Sequence, residues 1–286
     1  MSYRIITDSC CDLPEQMYAQ LGLTMIPLTL NFRGQEHTDL SESFMKDLYA
    51  GLRAGEAAST SAVNPDGWAT AIEPALVAGE DALVLAFSSG LSTTYQSAVI
   101  AATDLKEQYP DRKIYVVDTL CASLGQGLLA WYACKKRDEG MSLEDLAAWC
   151  EEYKFKLSHW FTVDDLMYLK RGGRVSAATA LVGTMMQIKP VMHVDNEGHL
   201  TKLGTARGRK ASINTLVKKM EETAIPGTEE IAFICHGDCI EDAEYLAQQI
   251  KEKLGVKEVL IYYTGAVIGS HSGPGTLALF HLGEHR

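Results

Sequence analysis

Hydroxyl and carboxylate side chains collect directly after the predicted strands in the first half of the chain. Residues 7–9 (Thr-Asp-Ser), 88–94 and 118–119 each follow a short apolar run, and Thr60 and Ser61 lie in a predicted loop. Such side chains cap helices in any α/β fold, because their oxygens accept hydrogen bonds from free N–H groups. Ligands of open parallel sheets also bind beyond the carboxyl ends of the strands. Four such segments at one edge therefore suit either helix capping or a small anion, such as a carboxylate or phosphate.

Two clusters of basic residues lie in the second half of a chain whose formal net charge is -11. Three cations surround two glycines in residues 170–174, and three more open a predicted helix in residues 205–210. Each cluster could be a solvated surface turn. Guanidinium groups also bind phosphate through paired hydrogen bonds, so an anion clamp is the functional alternative.

A single histidine, His271, lies among four glycines in residues 264–275. Glycines allow the backbone to approach a ligand closely. A lone histidine is usually structural, but a near-neutral pKa in such a loop would suit a binding site. We therefore expect His271 to serve a site rather than the core.

The sequence lacks the motifs of several enzyme classes. Residues 269–273 place histidine where the nucleophile elbow G-x-S-x-G has serine, and no phosphate-binding P-loop or dinucleotide motif occurs. A stand-alone acyl hydrolase or transferase would need Ser92 or Ser9 beside His271 and an orienting acid. The sequence shows only scattered candidates for that arrangement, so the hydrolase remains the rival hypothesis.

Composition excludes further classes of protein and site. The acidic balance argues against nucleic-acid binding, and no apolar run is long enough to span a bilayer. The seven cysteines show no disulfide framework and are interpreted as reduced thiols of a cytoplasmic protein. Residues 235–239, Cys-His-Gly-Asp-Cys, lack a second ligand pair and are interpreted as a turn at a strand end. We expect no metal and no cofactor.

The first half alternates short β-branched runs with segments of helical spacing, and this pattern predicts an α/β layered domain with a mainly parallel sheet and flanking helices. Ser41 and Ser142 lie where helix N-caps belong. The predicted strands are 4–7, 24–30, 82–87 and 113–117, and the predicted helices are 14–21, 41–54, 66–78, 91–108 and 122–139.

The second half is predicted to be a mixed α/β domain, with a boundary near residue 153 that gives domains 1–153 and 154–286. Residues 195–198, Asp-Asn-Glu-Gly, have the composition of a hairpin turn. The predicted strands are 159–163, 189–194, 200–205, 231–235 and 258–263, and the predicted helices are 142–156, 208–223 and 240–254.

Several of these segments carry a resemblance to a known family: residues 7–9, Thr60-Ser61 with Pro65, residues 88–98, Val117-Asp118, residues 169–174, Ile188-Lys189-Pro190 and residues 265–275. With them the chain resembles the DegV family along nearly its whole length. The characterised members of that family are the fatty-acid-binding subunits of bacterial fatty acid kinase. One departure is Thr93, which stands where the family normally has glycine and adds a Cβ near the expected head group.

The resemblance implies that the first domain buries the acyl chain of a long-chain fatty acid and holds its carboxylate near the domain junction. It implies that a separate ATP-dependent kinase subunit phosphorylates that carboxylate. The acidic net charge and the shortness of the apolar runs predict in addition that the protein neither binds nucleic acid nor inserts stably into a membrane. A regulatory protein for another small ligand remains a further alternative. The implied carboxylate site is Thr60, Ser61, Ser92, Thr93 and His271; the implied phosphate-facing or kinase-facing set is Arg171, Arg174, Arg207 and His271; Asp8, Ser9 and Asp118 complete the rim.

Overall fold

The computed structural model describes residues 2–38, 41–176 and 187–286. None of the helices in these ranges is long and apolar enough to cross a membrane. The strands are β1 (Tyr3–Asp8), β2 (Leu23–Ile26), β3 (Thr29–Phe32), β4 (Gln35–His37), β5 (Ala58–Ser61), β6 (Asp81–Ala86), β7 (Ile114–Asp118), β8 (Leu157–Thr162), β9 (Ile188–Val194), β10 (Leu200–Arg207), β11 (Ile231–His236), β12 (Glu258–Tyr263) and β13 (Leu277–Leu282).

The described helices divide between the two halves of the chain. Ser41 and Ser142 cap α2 and α6 as predicted, since each side chain accepts a hydrogen bond from the backbone three residues on. The helices are α1 (Glu15–Gln20), α2 (Glu42–Arg53), α3 (Pro65–Val77), α4 (Thr94–Gln108), α5 (Leu124–Asp138), α6 (Leu143–Tyr153), α7 (Met167–Arg171), α8 (Arg209–Thr223), α9 (Ile240–Leu254) and α10 (Ala266–Ser272).

The first half contains the predicted parallel sheet, with strand order β2-β1-β6-β7. Its two faces are both covered, because successive side chains of a strand point to opposite sides. Ile6 and Val84 pack in the cluster that contains Trp68 of α3, whereas Ile5 and Leu83 pack in the cluster formed with α5 and α6. Helices on both faces are the reason these strands are apolar throughout.

The second half contains a six-stranded mixed sheet in the order β10-β9-β8-β13-β11-β12. Strands β11 and β12 run parallel, and the other neighbouring pairs are antiparallel. The predicted hairpin turn joins β9 to β10, with the Asp195 N–H donating to the His199 carbonyl at 2.9 Å. The predicted fold class, a parallel first sheet and a mixed second one, is confirmed.

The prediction of one strand over 24–30 is wrong. The segment forms β2 in the parallel sheet and the start of β3 in a separate antiparallel sheet of order β4-β3-β5. Pro27 separates them, because its nitrogen has no hydrogen to donate to a strand neighbour. The next N–H, that of Leu28, donates to Ser9 Oγ at 2.9 Å and so leaves the first sheet.

Helix α5 lies between the two large sheets and contacts β1 of the first and β8, β11 and β13 of the second. Two glycines permit this packing. A Cβ on Gly125 would come within 2.1 Å of His159, and one on Gly127 within 2.5 Å of the Cys11 carbonyl oxygen. One hydrophobic cluster therefore runs from Ile5 on one side of the helix to Leu282 on the other.

A buried carboxylate also joins the two halves. Asp12 follows β1, has φ 52°, and accepts a hydrogen bond from Ser123 Oγ at 2.5 Å. The same carboxylate accepts a hydrogen bond from the backbone N–H of Gly265, which precedes α10. Burial raises the pKa of Asp12 to about 7, and burial raises that of Asp8 to about 6.

We predict that the buried Asp12 carboxyl contributes stability that is lost as the pH rises from about 4 to about 7. A carboxyl whose pKa is higher in the folded than in the unfolded state, where it is about 3.9, binds its proton more tightly when folded. Asp12→Asn removes this loss, so the slope of its unfolding free energy against pH should be more positive than that of the wild type by up to about 1.4 kcal/mol per pH unit in this range. Urea denaturation at a series of pH values measures it, with the exposed Asp104→Asn as control. Equal slopes for wild type and Asp12→Asn would contradict the prediction.

Candidate functional site

A cavity of about 520 Å³ lies between the two halves of the chain, near the start of α5. Its size is typical of sites that enclose a small molecule. Apolar side chains dominate its wall: Phe87 and Leu91 come from the loop after β6, Phe161 and Phe280 from the second sheet, and Ile268 from α10. Because the wall comes from both sides of residue 153, the first half alone does not enclose this space.

Thr60 and His271 meet at the cavity wall, with Thr60 Oγ1 2.7 Å from His271 Nε2. The prediction of a loop at Thr60 is wrong, because the residue lies in β5 and pairs with Leu30 of β3. His271 is held from its other side by Gly172, where a Cβ would come within 2.3 Å of Nδ1. Gly172, the first of the two glycines in the 170–174 segment, is thus needed for close approach to the histidine.

His271 is neutral at physiological pH. Burial lowers its pKa to about 4, and the nearby positive charge of Arg174 lowers it further in the same direction. The expectation of a near-neutral pKa is therefore wrong. A neutral imidazole still donates one hydrogen bond and accepts another, so His271 can orient a ligand oxygen without carrying charge.

Arg174 supplies the positive charge of the cavity wall. Its Nε and Nη2 donate to the Leu91 carbonyl at 3.2 and 3.0 Å, and Nη1 donates to the Gly172 carbonyl. A guanidinium group has five N–H donors, so three bonds leave two donors for a ligand. Because Leu91 precedes Ser92 in the chain, the bonds to the Leu91 carbonyl hold the guanidinium group close to Ser92.

Ser92 and Thr93 line the same part of the cavity, immediately before α4. The Ser92 hydroxyl lies 2.8 Å from that of Thr94 and accepts the Thr94 N–H at 3.2 Å. It thereby satisfies one of the free N–H groups of the first turn of α4. Helix α4 begins at Thr94 rather than at the predicted residue 91, so both side chains precede the helix at its N-terminal end.

Other predicted site residues lie outside the cavity wall. Ser61 is exposed because neighbouring residues of a strand face opposite ways, and Thr60 and Ala62 take the cavity face. Arg171 is exposed and lies over the ring of Tyr168 at 4.4 Å. Arg207 is exposed at the end of β10, an edge strand of the second sheet. The structure thus does not bring Ser61, Arg171 or Arg207 into the cavity wall.

The three predicted rim residues hold the loops beyond the first sheet. Asp8 accepts from the N–H groups of Cys10 at 2.9 Å and Phe87 at 2.7 Å, which joins the ends of β1 and β6. Ser9 accepts the Leu28 N–H, and Asp118 accepts the N–H groups of Ser89 and Leu120, both at 3.1 Å. The hydrogen bonds of these three residues hold the loops in place, and none of the three lines the cavity.

The sequence did not reveal several polar residues of the deeper wall. Thr264 donates to Cys235 Sγ at 3.1 Å, and the Ser123 hydroxyl oxygen, which donates to Asp12, lies 3.2 Å from the same sulfur. Burial raises the pKa of this thiol to about 12. His159 is buried, and burial lowers its pKa well below the usual value. These groups are uncharged at neutral pH and are held by bonds within the protein. The positive φ of 54° at Ser123, invisible in the sequence, marks the backbone before α5 as unusual.

The geometry does not favour a hydrolase. Ser92 bonds to Thr94 and His271 to Thr60, whereas a nucleophile and its base must share a hydrogen bond. No carboxylate of the described residues is recorded as a partner of His271. Ser9, the other candidate nucleophile, lies outside the cavity wall. The rival arrangement therefore lacks both of its required contacts in this part of the chain.

Residues 235–239 form the predicted turn between β11 and α9, where the Cys239 N–H donates to His236 Nδ1 at 3.3 Å. The described residues contain no group of three or more His, Cys, Asp or Glu side chains placed to hold a metal ion. In the second basic cluster, Arg209 forms ion pairs with Asp242 and Asp164. Its charge is therefore balanced within the protein.

Comparison with known proteins gives the same architecture. A solved DegV family protein from Thermus thermophilus, described by its fatty acid binding, has a TM-score of 0.89 and 33% identity, with 99% of this chain and 100% of that chain covered. The Streptococcus pneumoniae fatty acid kinase B3 protein, loaded with linoleic acid, shares the fold with a TM-score of 0.86 at 23% identity and 99% coverage of both chains.

Sequence comparison extends over nearly the whole chain. A DegV domain-containing protein of Clostridium perfringens is 45% identical over 282 residues, which cover 98% of this chain and 97% of that protein. The family model described as "Uncharacterised protein, DegV family" matches residues 2–284. With this match and with the shared architecture of its two sheets, the chain belongs to the DegV family.

Proposed function

We propose that the protein binds a long-chain fatty acid in the cavity, with the carboxylate beside Thr60, Ser92, Thr93, Arg174 and His271. The observation that carries the proposal is the uneven wall, which is apolar over most of its area and brings the hydroxyl group of Thr60, the imidazole of His271 and the guanidinium group of Arg174 close together. This pattern matches a ligand with a long apolar tail and one anionic end. The Thermus thermophilus relative, which binds fatty acid, supports the assignment.

The tail supplies most of the binding free energy. Each buried CH₂ group contributes about 0.8 kcal/mol, so a long acyl chain offers on the order of 10 kcal/mol before the cost of ordering it. Both halves of the chain would enclose the tail, since Phe87 and Leu91 line the cavity together with Phe161 and Phe280. This placement replaces the expectation that residues 1–153 alone enclose it.

The carboxylate needs partners, because burial of an unpaired charge would cost several kcal/mol and offset the gain from the tail. Arg174 provides a positive charge with two free N–H donors, and Ser92 and Thr60 provide hydroxyl groups. His271 is neutral and adds a hydrogen bond. The head group thus receives one compensating charge and several neutral donors.

We predict that the purified protein retains a fatty acid and that Thr60→Ala combined with Ser92→Ala releases it. Each hydrogen bond to a charged group contributes roughly 1.5 to 3 kcal/mol, so the double variant should bind at least a hundredfold more weakly. Mass spectrometry after organic extraction measures retention, and titration with palmitate measures affinity.

Ser61→Ala is the matched control for this experiment, because Ser61 adjoins Thr60 in β5 but is exposed. It should retain fatty acid as the wild type does. If the wild-type protein is consistently recovered without lipid, and long-chain fatty acids do not raise its melting temperature, then the binding proposal is wrong. Recovery of a different small molecule would instead favour a regulatory binding protein.

We further propose that the protein presents the bound carboxylate to a separate ATP-dependent fatty acid kinase subunit in the cytoplasm, and is not catalytic alone. The sequence has no nucleotide-binding motif, so the partner must supply ATP and its metal ion. Arg171 and Arg207 are exposed, and Arg174 connects the surface segment of Arg171 with the cavity. Phosphoryl transfer depends on such positioned charges.

We predict that Arg171→Ala or Arg207→Ala lowers acyl-phosphate formation by the kinase by about a hundredfold, the scale of losing one charge-stabilising group. Palmitate affinity should stay within about twofold of wild type, because neither side chain lines the cavity. Lys218→Ala, which removes an exposed cation of α8, is the control and should keep full activity. Loss of palmitate affinity in step with activity would assign these arginines to the carboxylate site and contradict this division of roles.

A further inference from the structure

One buried hydroxyl in the cavity wall has no hydrogen-bond partner. Ser272 ends α10, is 5% exposed, and its Oγ makes no hydrogen bond within the protein. A buried hydroxyl without a partner costs about 1 to 3 kcal/mol, so native proteins rarely leave one unsatisfied. The polar residues nearby behave differently: Ser123, Thr264 and Thr276 all donate to protein acceptors.

The location of Ser272 distinguishes it from other unpartnered groups. Among the described residues, four more buried side-chain atoms lack a hydrogen-bond partner, and none of their residues lines the cavity. These atoms are Gln126 Oε1, Thr162 Oγ1, His193 Nδ1 and Arg209 Nη1. The unsatisfied hydroxyl of Ser272 therefore coincides with the space where a ligand can supply the missing acceptor.

Ser272 also lines the cavity next to His271 in the same helix. It directly follows His271, so the two Cα atoms are about 3.8 Å apart. One turn earlier on its own helix face lies Ile268, which lines the apolar part of the wall. Ser272 is thus a lining residue that adjoins, on its own helix, both Ile268 of the apolar wall and His271, which contacts Thr60.

We propose that Ser272 is a further ligand-binding residue, whose hydroxyl donates a hydrogen bond to a carboxylate oxygen of the bound fatty acid. This inference rests on the proposed function and extends its head-group site by one donor. An acyl chain carries no acceptor beyond its carboxylate, so the carboxylate is the part of this ligand that can satisfy the hydroxyl. Ser272 then orients the ligand, because it favours the head group at the α10 end of the cavity.

The test compares Ser272→Ala with Thr162→Val, which removes another buried and unpartnered hydroxyl at a position outside the cavity. In lipid-free protein both variants should melt at or above the wild-type temperature, because each loses an unsatisfied polar group. Titration with palmitate should show Ser272→Ala binding about ten- to a hundredfold more weakly. Thr162→Val should bind palmitate as the wild type does.

A second variant, Ser272→Cys, nearly keeps the volume of the side chain but replaces the hydroxyl by a weak donor. It should bind palmitate at least fivefold more weakly than wild type. Wild-type affinity in Ser272→Ala, or in Ser272→Cys, would overturn the role of the hydroxyl while leaving the proposed function intact. Failure of the wild-type protein to bind palmitate at all would overturn the proposed function and this inference with it.

Discussion

The packing of α5 between two sheets is the constraint on which the rest of the structure depends. A helix has no face exposed to solvent where it is packed between two sheets, which explains why residues 124–130 of α5 are all buried. Gly125 and Gly127 allow contact on opposite sides, with His159 and with the Cys11 carbonyl oxygen. The two halves of the chain therefore share one hydrophobic cluster, and a larger residue at either glycine would force the sheets apart.

The cavity follows from the way in which this helix begins. Residues 122 and 123 line the cavity instead of continuing the helix, because Ser123 has a positive φ and α5 starts only at Leu124. The Ser123 side chain is tied to Asp12, which in turn binds the backbone before α10. The start of α5, the end of β1 and the helix that carries His271 are thus fixed to one another by a single buried carboxylate.

The sequence predicts the parallel sheet, because its strands are apolar runs separated by helices of clear periodicity. It does not predict β5, since Ala-Ser-Thr-Ser has no apolar alternation and becomes a strand only by pairing with β3. The sequence identified candidate site residues by their types. Five of these candidates do line one cavity, namely Thr60, Ser92, Thr93, Arg174 and His271. The sequence could not show which side chains are buried or which hydrogen-bond partners they have. Burial makes His271 neutral, and the lack of a partner leaves the Ser272 hydroxyl unsatisfied.

Hydrogen bonds within the protein determine which polar groups of the cavity wall remain free to bind a ligand. Ser123 donates to Asp12 and Thr264 donates to Cys235, so this polar part of the wall presents little free hydrogen-bonding capacity to an acyl chain. By contrast, Arg174 keeps two donors beyond its bonds to backbone carbonyls. A neutral His271 avoids a second positive charge next to that guanidinium group, which would be costly to bury without a ligand. A fatty acid bound as proposed would therefore take its direction from where donors remain free, while its tail would set how tightly it is held.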